Sequence, residues 1–325
     1  MNNKQMVELK RNLDIVFFGT PEFAVESLDR IVKAGYHVKA VVTMPDKIAG
    51  RGHKLIQSDV KKYAVAHNLR LLQPESLKNK DFLEELRSLN ANLFIVIAFR
   101  MLPREVWDMP ELGTFNLHAS LLPDYRGAAP INRAIMNGEK VTGVTTFFLK
   151  HEIDTGDIID QCEIEVGEDE NVGSVHDRLM RLGADLLLQT LKKLEEGNVE
   201  TRRQPEGSFT PAPKIFKDDC EIEWSKDETS VHNHIRGLSP YPCAWTVIQD
   251  ATGKETEVKI LESKLNPCEK ELAPGEIYCD KTRMFIGTAN RPVEILRLQP
   301  AGKKAMETNA FLRGYHPARA IWQSK

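Results

Sequence analysis

Leu13-Asp-Ile-Val-Phe-Phe-Gly-Thr-Pro21 is an apolar run that stops abruptly at a glycine and a proline. Leu13 to Phe18 predicts a short buried strand. Thr20 is placed to cap a helix, with Pro21 at its first position. Phe23, Leu28, Ile31 and Val32 then recur at helical spacing to about Ala34, and Gly35 closes the segment. Val38 to Val42 predicts a second strand. A strand, a helix and a strand in this order build a parallel sheet. The expected class is α/β, with a Rossmann-like domain on a mostly parallel sheet. The first turn carries one glycine, not the G-x-G-x-x-G of a dinucleotide site, which argues against NAD(P). No G-x-x-x-x-G-K-[ST] phosphate loop occurs either.

The pattern continues outward. Gln57 to His67 reads as a helix, Leu69 to Leu72 as a strand, and Leu77 to Leu89 as an amphipathic helix. Leu93 to Phe99 is continuously apolar, as a central parallel strand covered on both faces must be. Ala128 to Met136 is a short helix, Gly143 to Leu149 and Ile158 to Val166 are strands, and Val172 to Glu196 is a long helix with Gly183 inside it.

Within this frame Gly113 to Pro130 stands apart. Phe115 and Leu117 alternate with Asn116 and His118, a strand period. Unsatisfied buried polar groups cost about 1–3 kcal/mol each. Asn116 and His118 are therefore expected at the strand's end, where ligands bind in sheets of this kind. The competing reading is a core strand with two internally satisfied polar residues. Asp154-Thr-Gly156, after the next strand, offers a carboxylate, though Asp in such a turn also bonds its own backbone.

The chain has 325 residues, 41% hydrophobic and 28% charged, with a net charge of −3, so it is long enough for two domains. The five cysteines are scattered, with no C-x-x-C pair, so no metal and no disulfide framework is expected. No signal peptide and no run of about 18 apolar residues is seen, so no membrane association and a cytoplasmic location are expected. Gly197 to Lys217 is Pro-rich and reads as a linker. Beyond it, β-like runs at 221–224, 243–248, 257–262, 275–278, 284–287 and 292–298, with a helix at about Ser230–Gly237, predict a small β-barrel or sandwich. Residues 281–325 hold nine Lys/Arg against two Glu, a net +7 that points to an anionic partner, RNA foremost. The loop Pro45 to Lys54 is glycine-rich and basic, and is either a solvated loop or a phosphate contact.

No nucleophile elbow and no H-E-x-x-H metal motif is present. Asn116, His118 and Asp154 suit acyl transfer to an amine without a covalent enzyme intermediate. An amide and an imidazole can meet an oxyanion, and a carboxylate can take the amine's proton.

These residues carry a resemblance. Asn116-x-His118, Ser120-Leu-Leu-Pro123 with Arg126-Gly127, and Asp154-Thr-Gly156 together resemble the folate-dependent formyltransferases. Phe18-Gly-Thr-Pro21, the Pro45–Gly52 loop, Thr210-Pro-Ala-Pro-Lys214 and Leu298 to Met306 extend the resemblance over nearly the whole chain. It implies transfer of the formyl group of 10-formyltetrahydrofolate to the methionine amino group of initiator Met-tRNA, for translation initiation. The alternative is an amino-sugar nucleotide acceptor on the same scaffold. It implies catalytic roles for Asn116, His118 and Asp154, and folate contacts from Ser120, Leu121, Leu122 and Pro123. It implies tRNA contacts from Lys47, Arg51, Lys54, Lys303 and Lys304. The implied division is a catalytic domain at 1–200, a linker at 201–217 and an OB-like tRNA-binding domain at 218–325. Phe99-Arg100 stand where members of that family often carry Tyr-Gly, and His53 where Lys is more usual.

Overall fold

The computed structural model describes residues 11–49 and 54–322. Its first strand, β1 (Asp14–Gly19), has Ile15, Val16, Phe17 and Phe18 wholly buried. Helix α1 (Glu22–Lys33) follows, then β2 (His37–Val42). A short hairpin comes next, β3 (Lys47–Ala49) with β4 (Lys54–Ile56), then α2 (Asp59–Ala66), β5 (Leu71–Leu72) and α3 (Lys80–Ser88). Strand β6 (Leu93–Ile97), the single turn α4 (Arg104–Trp107) and β7 (Thr114–His118) lead to the candidate site. The chain goes on through β8 (Arg126–Gly127), α5 (Pro130–Met136), β9 (Val141–Phe148), β10 (Ile158–Glu165) and α6 (Val172–Glu196).

The large sheet runs β10-β9-β7-β6-β1-β2-β5. The neighbouring pairs from β7 to β5 are all parallel, and β9 pairs antiparallel with β7. The expected mostly parallel α/β sheet is what forms. Pairing of Gly19 with Ile97 and of Val96 with Asn116 brings the ends of β1, β6 and β7 to one edge. Val16, Phe18, Phe94 and Val96 pack with Phe82 and Leu86 of α3. On the opposite face a Cβ at Gly183 would lie 2.8 Å from Leu117 Cδ2, so α6 presses on β7 where the helix has no side chain.

Several boundaries differ from expectation. Pro21, not Thr20, is the last residue before α1, in extended conformation (φ −82°, ψ 175°). Thr20 is then one residue too far out to cap, and its hydroxyl is buried without a partner among the described residues. Helices α2 and α3 start late because Ser58 and Asn79 cap them. The Ser58 Oγ accepts from the Lys61 amide, and the Asn79 Oδ1 from Asp81 and Phe82. Gly35 does end α1, at φ +81°, a conformation that costs glycine nothing.

The chain divides into two compact units. One runs through Arg126 and adds Gly143–Ile164 and Asp177–Pro211; the other takes Gly127–Thr142, Glu165–His176 and the chain from Ala212 onward. After β11 (Pro211–Ala212), a 3-10 turn (Lys217–Cys220) and α7 (Glu228–Leu238), the second unit is antiparallel. Its strands are β12 (Ala244–Asp250), β13 (Glu255–Lys264), β14 (Ile277–Cys279), β15 (Met284–Ile286), β16 (Val293–Pro300) and β17 (Met306–Glu307). Helix α8 (Thr308–Leu312) and β18 (Pro317–Ile321) end it. The order is β14-β15-β16-β13-β12-β18, and a backbone pair between Glu276 and Arg319 nearly closes the barrel. Trp224, Ile248, Ile260, Met284, Ile295 and Phe311 fill its core. The strand expected at 221–224 is absent. Ile222 and Trp224 both point inward, which produces the period of two, but only Glu221 pairs, with Trp245.

Candidate active site

Strand β7 ends on the two polar residues that the alternation singles out. Asn116 and His118 share the face opposite Leu117. His118 is buried, and its Nε2 lies 2.9 Å from the Tyr125 carbonyl oxygen. A carbonyl only accepts, so Nε2 carries a proton and Nδ1 is the nitrogen turned to the site. That Nδ1 stands 3.9 Å from the Asp154 carboxylate, longer than a direct hydrogen bond. Asn116 is half-buried and its amide makes no side-chain hydrogen bond to another described residue.

Asp154 sits in the loop between β9 and β10 at φ +55°, the left-handed region. Asp tolerates that region better than most side chains. Gly156 is required two residues later, since a Cβ there would come within 1.5 Å of the Phe148 carbonyl oxygen. Gln204 completes the turn. Its Nε2 donates to the carbonyls of Asp154 (2.9 Å) and Gly156 (2.8 Å), and its Oε1 accepts from Arg126.

Ser120 to Pro123 leave β7 as a wall held from three sides. Thr145 Oγ1 donates to the Ser120 carbonyl (2.7 Å) and accepts from the Leu122 amide (3.2 Å). Gln161 Nε2 donates to the Leu122 carbonyl and to Thr145 Oγ1, 2.9 Å each. Ser120 Oγ donates to the Asp124 carbonyl, so Ser120 is spent on the loop itself. Leu122 is buried with Phe147 and Ile158, and Leu121 and Pro123 are half-buried.

Arg100 lies after β6 and donates to the carbonyls of Pro74 and Glu75 while its guanidinium covers the Phe99 ring. Burial pulls its pKa below the usual guanidinium range, and its Nε has no partner among the described residues. Lys47 is exposed on β3, and the backbone of Lys54 pairs with Ala49 in the same hairpin. Arg51 lies outside the described residues. Lys303 and Lys304 are exposed in the turn between β16 and β17 of the second unit. Among the described residues no group of three His, Cys, Asp or Glu side chains is placed to hold a metal, and all five cysteines are free. No described helix is long and apolar enough to cross a membrane.

In the Pro-rich segment expected as a linker, the Arg202 backbone pairs both ways with Ile158 (2.8 Å each). Thr210 accepts from the Tyr125 amide (2.6 Å) and donates to Asp124 Oδ1 (2.9 Å). Arg126 belongs to the motif that carries the resemblance, but Gln204, Thr145, Gln161 and Tyr125 have no sequence signature; single residues without a period carry none.

A model of the formyl transferase family matches residues 13–191, and a model of its C-terminal domain matches 214–316. A methionyl-tRNA formyltransferase of Bacteroides fragilis is 52% identical over 317 residues, covering 96% of this chain and 98% of the relative. One of Flavobacterium johnsoniae is 52% identical over 303 residues, covering 93% and 96%. Among solved structures, a sugar 3N-formyl transferase in the presence of dTDP and 5-N-formyl-THF superposes with a TM-score of 0.65 at 19% identity, covering 90% of this chain and 100% of that one. HypX from Aquifex aeolicus in complex with tetrahydrofolic acid gives 0.62 at 19%, covering 93% and 47%. Likeness at that identity concerns the fold alone. With both family models matched in order and close relatives aligned almost end to end, the chain belongs to the formyl transferase family.

Proposed function

We propose that the chain transfers the formyl group of 10-formyltetrahydrofolate to the amino group of methionine on initiator Met-tRNA, in the cytoplasm, for translation initiation. The observation that carries the chemistry is the His118 imidazole, anchored at Nε2 and turned by Nδ1 to Asp154, beside an Asn116 amide with no side-chain partner among the described residues. The acceptor is supported by relatives of that name at 52% identity over 96% of the chain.

The amine nitrogen adds to the formyl carbon, and negative charge develops on the formyl oxygen. The Asn116 amide and a proton on His118 Nδ1 meet that charge. Asp154 accepts the proton the amine must lose, directly or through water. The bond from the formyl carbon to the folate nitrogen then breaks; its electron pair stays on that nitrogen, which takes up the proton held by Asp154, directly or through water, and tetrahydrofolate leaves with Asp154 again ionised. Ser120 to Pro123 form the wall against which the donor lies. Their backbone is tied by Thr145 and Gln161, so the wall is preorganised. The OB-like barrel, with exposed Lys303 and Lys304, and the basic residues Lys47, Arg51 and Lys54 hold the tRNA backbone. The division 1–200, 201–217 and 218–325 belongs to the same reading.

The test is formyl transfer from 10-formyltetrahydrofolate to charged initiator tRNA, with charged elongator tRNA and a dTDP-amino sugar as alternative acceptors. Transfer to the initiator is expected, and transfer to the sugar alone overturns the reading. Asp154→Asn is expected to lower kcat by about 10²–10⁴, the range of a positioned general base.

A further inference from the structure

We infer that Gln204 is a positioning residue that holds the Asp154 turn in the conformation aiming the carboxylate at His118. The inference rests on the role proposed for Asp154. Gln204 lies in a polar, Pro-rich stretch yet is only 5% exposed. Both of its amide hydrogens are used, one on the Asp154 carbonyl and one on the Gly156 carbonyl, at 2.9 and 2.8 Å. Its oxygen takes the Arg126 Nε and Nη2, at 3.2 and 2.5 Å. Carbonyls only accept and a guanidinium only donates, so the amide has one possible orientation.

The turn needs such a clasp. Asp154 is held at φ +55°, which an L-residue with a Cβ adopts at a cost. Gln204 bonds the backbone on both sides of Thr155 and so fixes the arc from which the carboxylate projects. Arg126 is itself seated, with its guanidinium 5.3 Å from the Phe209 ring centre. Next to it, Tyr125 gives its carbonyl to His118 and its amide to Thr210. Residues 204–210 therefore steady both members of the facing pair, the acid through its turn and the imidazole through Tyr125.

Gln204→Glu separates this role from simple anchoring. The substitution keeps size and strengthens the contact with Arg126. It also puts a carboxylate oxygen against two carbonyl oxygens, so the turn must move. A shift of this kind at a reacting group costs about 10–100-fold in kcat. The expected result in the formyl-transfer assay is that fall, with KM for 10-formyltetrahydrofolate and for Met-tRNA changed by less than about threefold. A variant with kcat within about twofold of the parent overturns the inference, as does a loss carried by KM alone. Should Gln204→Glu fail to fold by circular dichroism, Gln204→Met is read by the same criteria. Asp154→Asn is assayed beside them. If it stays active, the proton-acceptor reading fails. If it is inactive while Gln204→Glu is fully active, only the positioning role fails.

Discussion

The role proposed for Asn116 rests on its amide being left unspent. Most half-buried amides in folded proteins find a partner. This one stands at a strand end with none among the described residues, next to a histidine whose other nitrogen is already bonded. Loss of one oxyanion donor costs about 10²–10³ in kcat. Asn116→Ala is expected to fall in that range with unfolding midpoints near the parent's, because no internal bond is broken. A variant that unfolds early while retaining turnover would instead make Asn116 a structural residue. Nothing in spacing alone separated that structural reading from the functional one. The amide's lack of a partner among the described residues supports the functional reading, and the Asn116→Ala measurement decides between the two.

At the level of elements, α6 packs closely against β7, the strand that carries Asn116 and His118. Gly183 weakens the helix by about 1 kcal/mol relative to Ala. Its conservation of space is specific, since a Cβ would meet Leu117 at 2.8 Å, and Leu117 lies between Asn116 and His118. Overpacking costs about 1–3 kcal/mol, so it outweighs the propensity gain. Gly183→Ala is expected to destabilise by about 1 kcal/mol and to slow transfer. Leu117→Val, which removes a methylene, should recover part of both. A double-mutant cycle with no coupling would show that the two residues do not press on each other. The glycine was visible in the sequence as an oddity inside a long helix. Its cause was not, because the partner lies 66 positions away in the chain.

For the molecule as a whole, the second unit carries its own response to acid. Burial pulls the His234 pKa from its usual value down to about 4, the Cys220 backbone opposing it, and the ring's Nε2 has no partner among the described residues. His232 is lowered too, again chiefly by burial. A folded pKa below the unfolded 6.5 means the unfolded chain binds the proton first. The contribution is complete above pH 6.5 and is lost as pH falls towards 4, at most about 3 kcal/mol for His234. Urea unfolding of the intact protein, followed by tryptophan emission, should steepen its pH dependence over that window. His234→Gln should flatten it, and an unchanged slope would show that the ring is hydrated. Three of the four tryptophans, Trp224, Trp245 and Trp322, belong to the barrel unit and report on it. The class of each half was legible in the chain, because apolar period and Gly/Pro punctuation are local. So were Asn116, His118 and Asp154 as residues out of place for a core. Strand order, the closure of the barrel by Glu276 and Arg319, and the recruitment of residues 202–210 to the site were not. Each of these joins groups distant in sequence through single hydrogen bonds, and a lone donor or acceptor leaves no periodic trace by which its partner can be found.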